Sequence, residues 1–248
     1  MTVTCYITGY SVLTGICRKG NYQIRKESSY LFTGIVLMTV YAEVFSLFGG
    51  VSFLANALLL AICLICFLVK REELAGHFRN IRLTVTPQRV ILILVLFFLF
   101  AYGTASGLEH YDTGLYHAQS IRWIEEYGVV KGLGNLHCRL AYNSASFALS
   151  ALYSMAFLGG QSYHCAAGFL AFLLAKVCME ITDSFRKRTL YIADFARVMG
   201  IYYLVNIYDE MISPASDYFM VLLAFYVIIR FLDLLEGRDG KEKNVLPY

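Results

Sequence analysis

Long apolar runs alternate with short charged intervals along this chain, and the runs set the expected fold. Residues 30–48, 51–69, 90–106, 163–184, 189–207 and 218–235 are each apolar over nearly their whole length. A helix needs roughly 20 mostly apolar residues to cross the ~30 Å hydrocarbon core of a bilayer. The pattern therefore predicts six full spans. Residues 3–17 are apolar but shorter, and they predict the tail of a further, partial span. They lack the basic n-region and A-x-A site of a signal peptide. Gly49-Gly50 predicts a tight turn between the first two full spans. The alternating ~10-residue strands of a membrane barrel do not occur. The expected class is all-α, a polytopic transmembrane helical bundle.

Residues 145–158 (ASFALSALYSMAFL) are the ambiguous run. As a helix they rise only ~21 Å at ~1.5 Å per residue, too little to cross. The charges between the spans decide the matter, because cations gather on the cytoplasmic side. If 145–158 does not cross, the cations of 18–26, 70–89, 186–188 and 238–243 all fall on one side. Only Arg122, Lys131 and Arg139 then lie on the other. If it does cross, the two sides carry equal numbers. The asymmetric arrangement places 145–158 on the outer surface as an interfacial or re-entrant helix. It also brings the stretch 108–144 and the later patch YDEMISPASD (208–217) to one non-cytoplasmic face.

Composition agrees with this picture. The 248 residues are 58% hydrophobic and 16% charged, against about 25% charged in a soluble domain; mean hydropathy is +0.58. The net charge of +3 comes from cations between spans and gives no reason to expect nucleic acid. The seven cysteines are scattered, which argues against a disulfide framework. Cys63 and Cys66 sit in a Leu/Ile-rich span and read as small packing residues. With three prolines and no linker composition, one integrated domain over 1–248 is expected.

The candidate chemistry gathers in 108–144, the longest polar interval. It holds His110, Asp112, His117, Arg122, Lys131, His137 and Arg139, with the single tryptophan, Trp123. Residues 113–127 read as an amphipathic helix, with Leu115, Ala118, Ile121 and Ile124 on one side and Gly128 as the stop. Its aromatic residues suit the membrane interface. Asp112 precedes that helix. It reads either as an N-cap or as a general base for an acceptor hydroxyl. Asp217 starts the last span and reads either as an N-cap or as a second-site acid. Arg122 and Arg139 suit an anionic head group, because guanidinium pairs with phosphate through two hydrogen bonds. His110, His117, His137 and Asp112 are spaced unlike any standard zinc signature, so no metal ligands are assigned. Inside the spans, Lys176/Glu180 and Asp194/Arg197 are spaced to pair, and Glu43 has no local partner.

The segment YDTGLYHAQSIRWIEEYGVVKGLGNLHCRLAYNS followed by ISPASD resembles a bacterial group of multispan membrane proteins related to the GT-C glycosyltransferases. The resemblance implies a sugar donor linked to polyprenyl phosphate, with an essential acid in the first large outer loop just after a span. Asp112 stands at that place and would be the base. His117, Arg122, His137, Arg139 and Asp217 would contact substrate. The resemblance also implies juxtamembrane helices in that loop, which fits 113–127 and 145–158. It implies further spans, so 1–248 is expected to be incomplete at both ends. No cofactor is required, although this chemistry admits a divalent cation. The expected function is glycosyl transfer on the non-cytoplasmic face of a bacterial plasma membrane, in cell-envelope or surface polysaccharide assembly. The partners would be membrane lipids and the lipid-linked donor. The alternatives are a transporter or flippase for a lipid-linked or small anionic substrate, or a non-catalytic fragment.

Overall fold

The computed structural model describes residues 1–20, 24, 26–106 and 110–238. Arg25, Leu108, Lys241 and Lys243, which enter the reading of the sequence, lie outside the described residues. The described residues are helical throughout their regular structure, with no strand among them. Helix α1 is Thr2–Gly20, α2 Ser28–Ser46, α3 Phe53–Thr84 and α4 Pro87–Ala105. After the polar stretch come α5 (Ala118–Tyr127), α6 (Ala145–Tyr153), α7 (Ala156–Gly159) and α8 (Ala166–Cys178). The chain closes with α9 (Ile181–Lys187), α10 (Ile192–Asn206) and α11 (Ser216–Leu235).

Four helices are long and apolar enough to cross a membrane: α2, α3 over Phe53–Leu83, α4 and α11. They make this an integral membrane protein. Their exposed surface supports the assignment. Leu54, Leu60, Leu64, Ile65 and Val69 of α3 and Ile91, Val95, Phe98 and Tyr102 of α4 are all exposed. Only Phe100 and Gly103 are buried on α4. In water such a surface would aggregate; in a bilayer, lipid is the solvent for it. The expected spans 163–184 and 189–207 appear as shorter helices. A turn at Met179-Glu180 breaks the first into α8, of 13 residues, and α9, while α10 has 15.

Close backbone approach fixes α1 against α2. A Cβ on Gly9 would strike the Tyr30 carbonyl oxygen, and one on Gly34 would strike that of Cys5. Small residues at a helix crossing let backbones touch where no water drives helices together. Beyond this crossing Tyr10, Leu13 and Cys17 of α1 pack with Tyr30 and Leu74 in a small separate cluster. His77 Nε2 and Tyr6 Oη, 2.9 Å apart, join it from the side.

Segment 145–158 returns to the end of the bundle from which it came. Arg89 at the start of α4 approaches Asp183 beyond α8 at 3.6 Å, whereas Thr104 near the other end of α4 abuts Gly168 at the start of α8. α4 and α8 are therefore antiparallel, and α6–α7 form a re-entrant excursion. Its environment differs from an outer-surface helix: every residue from Ser146 to Tyr153 is buried. α6 packs against α2, α5, α8 and α11, so its side chains fill the core rather than the interface. Met155 turns the chain back with φ 55°, a left-handed conformation uncommon for a non-glycine residue.

Candidate functional site

The candidate site starts from a break in helical regularity. Residues Thr113–His117 form a π-helical turn, wider than an α-turn, leading into α5. Such turns cost backbone order and often mark functional sites. Here the turn buries both Thr113 and His117. Thr113 Oγ1 hydrogen-bonds Ser213 Oγ, joining the polar stretch to the ISPASD patch across 100 residues of sequence. The two patches therefore share one end of the bundle. Asp112 does not cap this helix: its backbone is already helical, and its side chain makes no capping hydrogen bond. Instead its carboxylate receives a hydrogen bond from Arg139 Nη1. The Arg139 guanidinium also lies over the Tyr116 ring at 5.4 Å. A short 3-10 turn, Cys138–Ala141, presents Arg139, with the His137 ring accepting the Arg139 backbone N–H at 3.3 Å as its cap.

α5 is held down by its neighbours, which fixes the direction of this turn. Val51 N–H donates to the Ile124 carbonyl at 2.9 Å, and Val129 N–H donates to that of Ser46 at 2.8 Å. Gly128 has φ 74°, and a Cβ there would collide with the Ser46 carbonyl oxygen. Gly50 likewise leaves room for the Glu125 and Glu126 carbonyls. Glu125 is buried, its two oxygens accepting the Ser162 hydroxyl at 2.8 and 2.9 Å.

Four of the predicted residues share one electrostatic neighbourhood. His117 is 3% exposed, with Tyr116, Phe147 and His110 around its ring. Its Nδ1 is buried without a hydrogen-bond partner. Burial pushes the His117 pKa below the usual histidine value. Asp112 and Asp217 oppose that shift, and His110 and Arg139 reinforce it. Burial, with the nearby Asp112 carboxylate, raises the Tyr116 phenol; Arg139 opposes and Asp217 adds to the rise. Asp112, Arg139 and Asp217 thus act on the same two rings, those of Tyr116 and His117. The other two predicted contacts stand apart. Arg122 is engaged on α5 by Glu126 at 2.5 Å and Glu125 at 3.4 Å. The His137 ring serves the Arg139 backbone. Among the described residues, no three His, Cys, Asp or Glu side chains stand close enough together to hold a metal ion.

This geometry can hold an anion beside a carboxylate. Arg139 spends one hydrogen bond on Asp112, and a guanidinium carries five N–H donors. Neutral His117 adds an unused ring nitrogen nearby.

A second charged cluster, mostly missed by pattern reading, lies at the opposite end. Arg197, Arg230 and Asp233 are wholly buried. Asp233 accepts from Arg197 Nη2 at 2.8 and 2.6 Å and from Arg230 Nη1 at 3.2 Å. Glu180 accepts from Arg230 at 2.9 and 2.7 Å and from Lys26 at 3.1 Å, rather than pairing with Lys176. Asp194 pairs with Arg197 at 3.2 Å, as its spacing predicts, and with Arg238 at 2.7 Å. Glu43 takes no ion-pair partner among the described residues. The sequence signal for the missed members was present: Arg230 and Asp233 repeat the i,i+3 spacing of Asp194 and Arg197 inside an apolar run.

Fold and site together define a polytopic helical membrane protein with a polar, acid-bearing site at one end and a largely buried ionic knot at the other. More particularly, the chain belongs to the family described as a domain of unknown function, DUF8201, whose model matches residues 1–247. Neither the curated proteins nor the solved structures give a match.

Proposed function

We propose that this protein is a GT-C-like membrane glycosyltransferase that uses a polyprenyl-phosphate-linked sugar on the non-cytoplasmic face of a bacterial plasma membrane, for cell-envelope or surface polysaccharide assembly. On this reading α8–α9 and α10 complete six crossings. The observation that carries the proposal is the meeting of Asp112, Arg139, His117 and Asp217 at one end, tied by Thr113 and Ser213. Asp112 takes the proton of an acceptor hydroxyl as that oxygen bonds to the anomeric carbon. The bond from that carbon to the donor phosphate breaks, and polyprenyl phosphate leaves with the electron pair. Attack opposite the leaving group inverts the linkage. Arg139, already beside Asp112, supplies N–H donors to the departing phosphate. An apolar cavity of about 390 Å³ between α4 and α8, lined by Phe97, Phe100, Phe169 and Phe172, offers room for part of a prenyl chain.

A transporter would place its intramembrane charges along a path reaching both faces. Arg197, Arg230 and Asp233 are instead buried and bound to one another, which favours the transferase.

The test is sugar transfer from a panel of polyprenyl-phosphate donors by purified protein, for wild type and Asp112→Asn. A general base contributes about 10²–10⁴-fold to rate. Transfer by wild type that falls at least a hundredfold in a folded Asp112→Asn variant is expected. Equal rates in both would remove Asp112 as the base. No transfer in either would refute the transferase and favour the transporter or non-catalytic reading.

A further inference from the structure

We propose that the cavity between α5 and the loop 128–143 binds the ring of a neutral hexopyranose. It deepens the transferase reading, on which it rests only for taking that ring to be part of a substrate. The cavity has a volume of about 250 Å³. Pockets for drug-sized ligands run to ~300–1,000 Å³, so this one suits a single ring.

Its lining fixes the chemistry. Trp123 and Tyr142 supply aromatic surface, Gly132 and Gly134 supply bare backbone, and Ser120 and Asn143 supply polar side chains. No charged side chain lines it. Ser120 is buried, and its hydroxyl has no hydrogen-bond partner in the protein. A buried hydroxyl left unmade is costly, so it marks a place where a ligand atom belongs. Gly132 has φ 87°, a conformation that opens the loop backbone and that side chains disfavour. A pyranose matches all of these features. Its C–H faces pack on aromatic rings, and its hydroxyls both donate and accept. A carboxylate on the same ring would meet no cation in this lining.

The position ties the cavity to the candidate site. Tyr142 forms part of its wall and meets the Tyr116 ring edge-on at 5.9 Å. Tyr116 in turn lies beneath Arg139, which holds Asp112. The Tyr142 and Tyr116 rings and the Arg139 guanidinium thus connect a sugar in the cavity to the acid.

Trp123 is the single tryptophan, so emission excited at the red edge, beyond the absorption of the 19 tyrosines, reports on this wall alone. The experiment titrates methyl glucoside, galactoside, mannoside and N-acetylglucosaminide, with methyl glucuronide as the charged probe. The protein is held in an amine-oxide detergent, because maltoside and glucoside detergents carry the ring under test. Saturable emission change with a millimolar Kd is expected for at least one neutral hexoside, with binding of the glucuronide at least tenfold weaker. Ser120→Ala should weaken binding roughly three- to tenfold, the worth of one neutral hydrogen bond. Asn143→Ala, followed in the same way, guards against a folding defect in the first variant. Silence of Trp123 toward every neutral hexoside, equal binding of the glucuronide, or unchanged binding in both variants would overturn the proposal. Transfer without any emission change would sink the cavity and leave the transferase standing. Emission change without transfer would do the reverse.

Discussion

Substituting Asp233 by Asn tests the ionic knot, and the structure fixes how large the effect must be. Asn keeps the shape of the side chain and removes its charge. Asp233 is the buried anion between Arg197 and Arg230, both wholly buried. It receives three hydrogen bonds at 2.6–3.2 Å and faces Arg238 at 3.7 Å. Without it, Arg197 keeps Asp194 at 3.2 Å and Glu180 at 3.6 Å, while the four cations of the knot face two carboxylates instead of three. Breaking a buried pair from one side costs about 3–5 kcal/mol, because the remaining charge cannot regain water. At ~2–4 °C per kcal/mol for a chain of this size, Tm should fall by about 6–20 °C. With Cys66, Cys138 and Cys165, which are not buried, replaced by Ser, a thiol-reactive fluorogenic maleimide reads unfolding, since Cys5, Cys17, Cys63 and Cys178 are unpaired and buried. The control is Glu72→Gln, whose partner Arg71 is 3.9 Å away with both side chains exposed. It should move Tm by under ~2 °C. Replacing Arg197 and Asp233 together by Leu should recover most of the loss, because apolar residues can stand in for a buried pair. An Asp233→Asn protein that melts with the control would refute the assignment of the knot as a structural element.

Three further outcomes are expected. His117 is held neutral by burial, so below the ~6.5 of an unfolded histidine the unfolded chain binds the proton first; stability should therefore fall as pH drops from 7 to 5, and His117→Phe should flatten that slope in thermal melts. Gly34→Val places side-chain carbon on the Cys5 carbonyl and should separate α1 from α2, with faster maleimide labelling of Cys5 than in a Gly49→Ala control, where a Cβ meets nothing. Arg139→Lys should lower transfer more than tenfold while Arg122→Lys lowers it less than threefold, because only Arg139 stands at Asp112; equal losses would contradict the placement.

Run length carried the reading of α2, α3, α4 and α11, since long stretches apolar on every side have one economical solution in a bilayer. It was less informative where helices are short. The Met179-Glu180 turn contains neither Gly nor Pro, so nothing local announces it, and the 163–184 run reads as continuous. The ~21 Å length of 145–158 excludes a crossing but says nothing of what surrounds it, and the core position of α6 depends on four other helices. At the site, Asp112 and Arg139 are legible as residue types, but their pairing depends on a loop path no periodicity encodes. The π-helical turn at 113–117 has no sequence signature either. Within it Thr113 reaches Ser213 and His117 enters the core.

The hydrogen bond between Thr113 and Ser213 also sets an order of events during synthesis. Ribosomes add ~5–20 residues per second, so the two partners, 100 positions apart, emerge roughly 5–20 s from one another. During that interval Asp112, His117 and Arg139 are already made, and the segment that completes their surroundings is not. The polar end of the nascent bundle must wait, unlatched, until α10 has been built and the chain turns back into α11. The site is thus among the last parts of the molecule to close, and a variant that slows insertion of α10 should prolong that open state before it changes the finished fold.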